Sequence, residues 1–233
     1  DDVFLIFHHY HALDRWEQCL DTPLTFPTPL GPFNDLYKDI EIKPLSQREY
    51  DFTFVGQLPK TGTRDSFKRG LDKLVKENGD KFKYKIEFTD GFSKGLEPRE
   101  YMELLANSRL SLCPAGAYSM ETFRFFESTL MGAIPVVDRL PKFWYYEEAS
   151  FFKGAWDVLD NTLSKSLNYL QTGACRNMLK GLAMYNNDVL NVESLASRMR
   201  HIVDQRHSNM ESSKEYLNNL RKHLRDELDS DKL

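Results

Sequence analysis

The chain has 233 residues, 41% of them hydrophobic and 28% charged, which is ordinary globular usage and enough length to bury a substantial core. Its formal net charge of −4 excludes a general electrostatic pull towards nucleic acid or an anionic membrane, so any anion site must come from a local cluster of cations. No apolar run approaches the ~20 residues of a membrane span, and Cys19, Cys113 and Cys175 lie far apart without a CxxC pair, which favours a reducing compartment.

Taken in order, the chain alternates strand-like and helix-like stretches, the pattern of a parallel α/β architecture. Val3–Phe7 reads as a short buried strand and Leu13–Leu20 as a helix. Residues 21–34, DTPLTFPTPLGPFN, hold four prolines and a glycine and read as an extended crossing between domains. A strand over Asp51–Val55, a helix near Arg64–Glu77, a strand over Tyr84–Phe88 and a helix over Pro98–Asn107 follow, the last with Pro98 in its first turn. Next come a strand over Arg109–Cys113, a helix carrying Arg124 and Glu127, and a strand over Ala133–Val137. Beyond Trp156 the pattern is helical: Asp157–Leu170, Ala174–Tyr185, Val192–Gln205 and a charged amphipathic stretch over Ser212–Leu228. The expected fold is a Rossmann-like parallel sheet flanked by helices, with a short N-terminal segment (1–44) and a main domain (45–233) that ends in helices.

The segment SLCPAGAYSMETFRFFESTLMGAIPVV, residues 111–137, is the most informative. It sets a strand, a small-residue loop, a helix N-terminus, a cation and a carboxylate at one sheet edge, where ligands bind beside the carboxyl ends of parallel strands. Arg124 is the first candidate for neutralising a leaving diphosphate; its bland alternative is a helix-surface pair with Glu121 or Glu127 at spacing three. Glu127, one turn on, suits hydrogen bonds from ribose hydroxyls, or else only orients the arginine. Gly116, Tyr118, Ser119 and Thr122 permit close backbone approach to a phosphate, with Ser119 or Thr122 either capping the helix or donating to a phosphate oxygen. Gly56, Gln57, Lys60 and Arg64 form a second loop-to-helix junction facing the same way. Gly132 and Pro135 shape the return to the next strand.

Pro114, Gly116, Thr122, Arg124, Glu127, Gly132, Pro135 and Val136 together resemble the donor-binding signature of the exostosin-like glycosyltransferases, and Phe52–Gly56 followed by Arg64 resembles the family's upstream landmark. The stretch between Pro114 and Arg124 is one residue longer than the family pattern. The resemblance covers roughly residues 45–160. It implies the C-terminal, donor-binding half of a GT-B fold, with donor contacts from Gly56, Lys60, Arg64, Pro114, Gly116, Ser119, Thr122, Arg124 and Glu127. It further implies inverting, metal-independent transfer of a sugar from a nucleotide donor, UDP-linked, to a glycan or glycoprotein hydroxyl, without a further cofactor. Residues 1–44 are then a remnant or reduced acceptor side.

An inverting transferase needs a base for the acceptor proton, and the N-terminal segment offers His9 and Asp14, with Asp35 and Asp138 as further carboxylates. A metal reading of His8, His9 and His11 lacks a completing Cys, Asp or Glu nearby. The run Phe143, Trp144, Tyr145, Tyr146 is either a sugar-stacking platform or an apolar face over the sheet, the second being favoured. Two other classes stay open: a catalytically silent nucleotide-sugar-binding subunit of a transferase complex, and a phosphorylase, mutase-like or non-sugar α/β domain. The expected location is the cytoplasm of a host, viral or bacterial setting, or the Golgi lumen if these residues belong to a longer chain. The oligomeric state is open.

Overall fold

The computed structural model describes residues 6–8, 25–33, 36–58, 64–91, 94–116, 121–141 and 143–205, with 208, 211 and 215. The stretches read as Leu13–Leu20 and Ser212–Leu228 lie outside them, the second apart from Glu215. By its contacts the chain divides between Leu190 and Asn191. The first unit holds two parallel sheets. In the smaller, β1 (Ile6–His8) pairs with β2 (Thr25–Pro27), so the proline-rich crossing contains a strand.

The larger sheet is built from β3 (Tyr50–Gln57), β4 (Tyr84–Thr89), β5 (Ser108–Leu112), β6 (Ile134–Val137) and β7 (Phe152–Lys153), all parallel, in the order β4-β3-β5-β6-β7. Phe52 and Phe54 of β3 face one side and Thr53 and Val55 the other, and all four are buried, as expected of a strand covered on both faces. Helix α1 (Asp65–Asn78) buries Phe67, Gly70, Leu71 and Leu74, the i, i+3, i+4, i+7 stripe that predicts it. With Trp156 and α5 (Leu159–Gln171) it covers the Phe52, Phe54, Leu110 and Leu112 face. Phe67 is the centre, its ring 4.7 Å from that of Phe54 and 4.9 Å from that of Trp156.

On the opposite side lie α2 (Pro98–Ala106) and α3 (Phe123–Leu130). Helix α2 starts where the sequence says, with Pro98 in the first turn and a reciprocal capping box between Glu97 and Glu100. Helix α3 buries five consecutive residues, Phe125 to Thr129, polar and apolar alike, because α2, the sheet, the one-turn α4 (Trp144–Glu147) and α6 (Cys175–Asp188) surround it. The aromatic run lies here as packing: Phe143, Tyr145 and Tyr146 are buried against Phe125 and Phe126, and the Trp144 indole N–H donates to the Pro27 carbonyl at 2.8 Å. The stacking-platform alternative for these rings is therefore set aside.

At the amino ends of the strands Arg48 ties segments together, donating to the carbonyls of Lys43 (2.8 Å), Ser108 (2.8 Å) and Gly132 (2.7 Å). Burial lowers its pKa to about 10, so it stays charged at neutral pH. Gly132 has φ +66°, and a Cβ there would lie 2.8 Å from the Arg48 guanidinium, which explains the glycine after α3. The second unit contributes α7 (192–205), capped by the Asn191 side-chain carbonyl, which accepts from the N–H groups of Glu193 and Ser194. Among the described residues no helix is long and apolar enough to cross a membrane.

Candidate functional site

The strand order reverses direction between β3 and β5: β4 is added on one side of β3, and β5, β6 and β7 on the other. At such a switch point two adjacent crossovers run to opposite faces, and a crevice opens outside the carboxyl ends of the strands. Phe52 is paired with Leu110 and Thr53 with Ser111, and continuing that register sets Val55 level with Cys113 and Gly56 level with Pro114. Gly56, Pro114 and Gly116 therefore meet at one edge.

Arg124, in the first turn of α3, reaches this edge. Its Nε and Nη2 donate to the Val55 carbonyl at 3.2 and 2.6 Å, and its guanidinium carbon lies 4.7 Å from the centre of the Phe54 ring. Its Nη1 is buried and has no hydrogen-bond partner among the described residues. Gly56 (φ +153°) makes room for this crossing: a Cβ there would overlap Arg124 Nη2 and stand 3.3 Å from Cζ. The glycine thus serves the arginine. The helix-surface pairing with Glu121 is not formed, since the buried Glu121 carboxylate accepts from Tyr145 Oη (2.6 Å) and Tyr146 Oη (3.3 Å).

Glu127 is 5% exposed, and burial raises its pKa above the ordinary 4.5, opposed by the Phe33 N–H, by the charge of Arg124 and by Tyr101. The Phe33 N–H donates to Glu127 Oε1 at 3.3 Å. Tyr101 of α2 lies close to both groups: burial raises the pKa of its phenol, Glu127 adds to the rise and Arg124 opposes it. Beside them the Cys113 thiol is pushed up to about 11 by burial, against the pull of Arg124 and of hydrogen bonds with Ser111 and Ser128. Neither Tyr101 nor Phe33 stands out in the sequence. A tyrosine on a helix and a phenylalanine in a proline-rich stretch carry no local mark of a site.

Arg64 caps this edge from the other crossover. It is buried; its Nε donates to the Ala115 carbonyl at 2.7 Å and its Nη1 to the Gln57 carbonyl, so it fastens the end of β5 to the end of β3. Thr122 is the N-cap of α3, but its hydroxyl makes no capping bond. Asp138 follows β6 at the level of Pro114, with Oδ1 buried and lacking a partner among the described residues. Gly56, Arg64, Pro114, Gly116, Thr122, Arg124 and Glu127 thus belong to one neighbourhood. His9, Asp14, Lys60 and Ser119 lie outside the described residues. Among the described residues no group of three or more His, Cys, Asp or Glu side chains is placed to hold a metal ion. A groove of about 720 Å³ lined by Asp51, Arg109, Asn168 and Gln171 lies at the amino ends of β3 and β5, at the other edge of the sheet from this site.

The class defined by this arrangement is a doubly wound α/β protein with an arginine and a buried glutamate at its switch point. The Exostosin GT47 domain matches residues 9–139, more than half of the chain, and the chain belongs to that family. No curated protein matches. Among solved structures, GT-B glycosyltransferases share the fold. A mutant S. aureus TarM in complex with Fondaparinux, alpha-GlcNAc-glycerol and UDP aligns with a TM-score of 0.52 at 12% identity, over 85% of this chain and 43% of that one. The GtfA/B complex aligns at 0.50 and 11%, over 86% and 46%. An alpha-glucosyltransferase in complex with UDP and a 13-mer DNA aligns at 0.50 and 10%, over 85% and 70%. The chain therefore spans less than half the length of the first and second of these relatives.

Proposed function

We propose that the protein transfers a sugar from a nucleotide donor, UDP-linked, to a hydroxyl of a glycan or glycoprotein, with inversion and without a metal or other cofactor. One observation carries the reading: Arg124, at the switch point, is anchored through two of its nitrogens to a backbone carbonyl and keeps Nη1 unused among the described residues. Departure of a nucleoside diphosphate develops negative charge, and a fixed guanidinium beside a helix N-terminus neutralises it. Membership of the exostosin family and the presence of UDP in related folds support the donor class. The net charge of −4 favours a glycan over a nucleic acid as acceptor.

In this scheme Glu127 receives the ribose hydroxyls, and the Thr122 hydroxyl, not used in capping, donates to the diphosphate with the Gly116 backbone. Lys60 and Ser119 complete the phosphate contacts. The base that takes the acceptor proton is drawn from His9 and Asp14, with Asp138 as the described alternative.

The test is release of nucleoside diphosphate from a panel of nucleotide sugars by wild type and Arg124→Ala. One preorganised donor to a developing anion contributes roughly 3–4 kcal/mol, so turnover should fall by a factor of roughly 10²–10³ while circular dichroism stays native. Wild-type kinetics in a folded variant would remove Arg124 from the mechanism. Tight nucleotide binding by the wild type without turnover on any donor and acceptor would replace the enzyme with a binding subunit.

A further inference from the structure

The groove of about 720 Å³ at the amino ends of β3 and β5 has chemistry of its own. Leu45, Phe82, Leu167 and Leu170 line it from below, each half-buried against the core of the sheet. The rest of the lining is largely polar. Asp51 and Arg109 come from the sheet, while Ser164, Asn168 and Gln171 follow one stripe of α5 at spacings of four and three.

Exposed amides on a helix are ordinarily only solvated. These face a wall that the fold has already fixed. Arg109 donates through Nη1 to Asp51 Oδ1 and through Nε to the Leu45 carbonyl (3.1 Å), and the Lys83 N–H donates to Asp51 Oδ2 (2.9 Å). The pair is half-buried, at 31% and 17% side-chain exposure for Arg109 and Asp51. A concave surface thus combines an apolar floor, a held ion pair and a row of neutral donors and acceptors. A pyranose ring is complementary to it, with C–H faces above and below and a rim of hydroxyls that both donate and accept. An extended peptide has no strand edge to join here, because β3 and β5 are interior strands bonded on both sides. The Asp51 carboxylate in the wall disfavours a phosphate chain.

We propose that this groove binds an oligosaccharide, as a sugar site separate from the switch-point crevice. Asp51 and Gly56 lie five residues apart on β3, about 16 Å along the strand, so a glycan held here is remote from Arg124. The groove is an anchor for a glycan and not a reaction centre, and the argument for it does not use the nucleotide-donor reading.

The experiment measures binding to an array of immobilised oligosaccharides, neutral and acidic, by wild type, by Asn168→Ala/Gln171→Ala and by Arg124→Ala, with circular dichroism to confirm that each is folded. Wild type should bind one or more of the glycans. The double variant should bind the same glycans about tenfold or more weakly, through loss of two direct hydrogen bonds, and Arg124→Ala should bind them as wild type does. No glycan bound by wild type, or equal binding by the folded double variant, overturns the proposal. Binding that is lost in Arg124→Ala and kept in the double variant overturns it too, and assigns the glycan to the switch-point edge.

Discussion

Gly56→Ala perturbs the candidate site while keeping every charge in place. The new methyl would overlap Arg124 Nη2 and stand 3.3 Å from Cζ, so the guanidinium must retreat by about 1 Å from the Val55 carbonyl to restore ordinary contact distances. The obstacle is the far end of a long side chain, so the retreat itself costs the fold little. The backbone at φ +153° adds roughly 1–3 kcal/mol of strain for a residue with a Cβ. For a protein of this size that lowers Tm by roughly 2–12 °C. A displacement of about 1 Å in a group that must meet a developing charge costs up to roughly a hundredfold in rate. Nucleoside diphosphate release should therefore fall far more than stability does, and nearly as far as in Arg124→Ala. Combining both changes should add little to Arg124→Ala alone, because the two act on one guanidinium. A folded Gly56→Ala with wild-type kcat/KM would show that the position of Arg124 over Gly56 is irrelevant to turnover.

At the other edge of the sheet, Arg48→Met removes the donor to the carbonyls of Lys43, Ser108 and Gly132 and should cost about 3 kcal/mol or more, read as a lower denaturation midpoint, with the activity of the folded fraction unchanged; wild-type stability would refute this bracing role. Glu127 carries a pH signature as well as a ligand role. Its carboxyl pKa is raised in the folded protein by burial, so the folded state holds its proton more tightly than the unfolded state does. Stability from this group is present below the unfolded value near 4.5 and is lost as pH rises from there through the folded value. Measured as Tm against pH, wild type should lose stability relative to Glu127→Gln across that window, and parallel curves would contradict the burial argument. The same variant should bind the nucleoside diphosphate more weakly; unchanged affinity would leave Glu127 as a residue that only orients Arg124.

Much of the larger sheet was legible because local and global signals agree. Strands β3 to β6 and helices α1 to α3 follow from the alternation of short apolar runs with helix-like stretches, from Pro98 in a first turn, and from Gly132 at the return. Strand β7 was not legible, since Phe152–Lys153 is two residues long and is defined only by its pairing with Val136 and Val137. The site divides in the same way. Arg124 and Glu127 are neighbours within one helical turn, but their partners lie far off in the chain: Val55 is 69 residues from Arg124, and Phe33 is 94 from Glu127. Spacing on a helix offered Glu121 as the partner of Arg124, and the fold gave that carboxylate to Tyr145 and Tyr146 instead.

That exchange of partners bears directly on chemistry. An arginine paired with an adjacent carboxylate is largely neutralised, and a ligand would have to break the pair to use the charge. Here a carbonyl and a ring face hold the guanidinium, and neither carries a formal charge. Glu127 feels Arg124 electrostatically, and its own raised pKa weakens its hold on a neighbouring cation as the pH falls. Lysine could supply the charge but not this geometry. Nε and Nη2 together grip one oxygen while Nη1 points elsewhere, which needs the rigid planar fork of arginine. Arg124→Lys should therefore retain some affinity for the nucleoside diphosphate and lose turnover, read as a kcat that falls further than KM rises. Turnover equal to wild type in that variant would mean that charge alone, without the anchored fork, does the work at this edge.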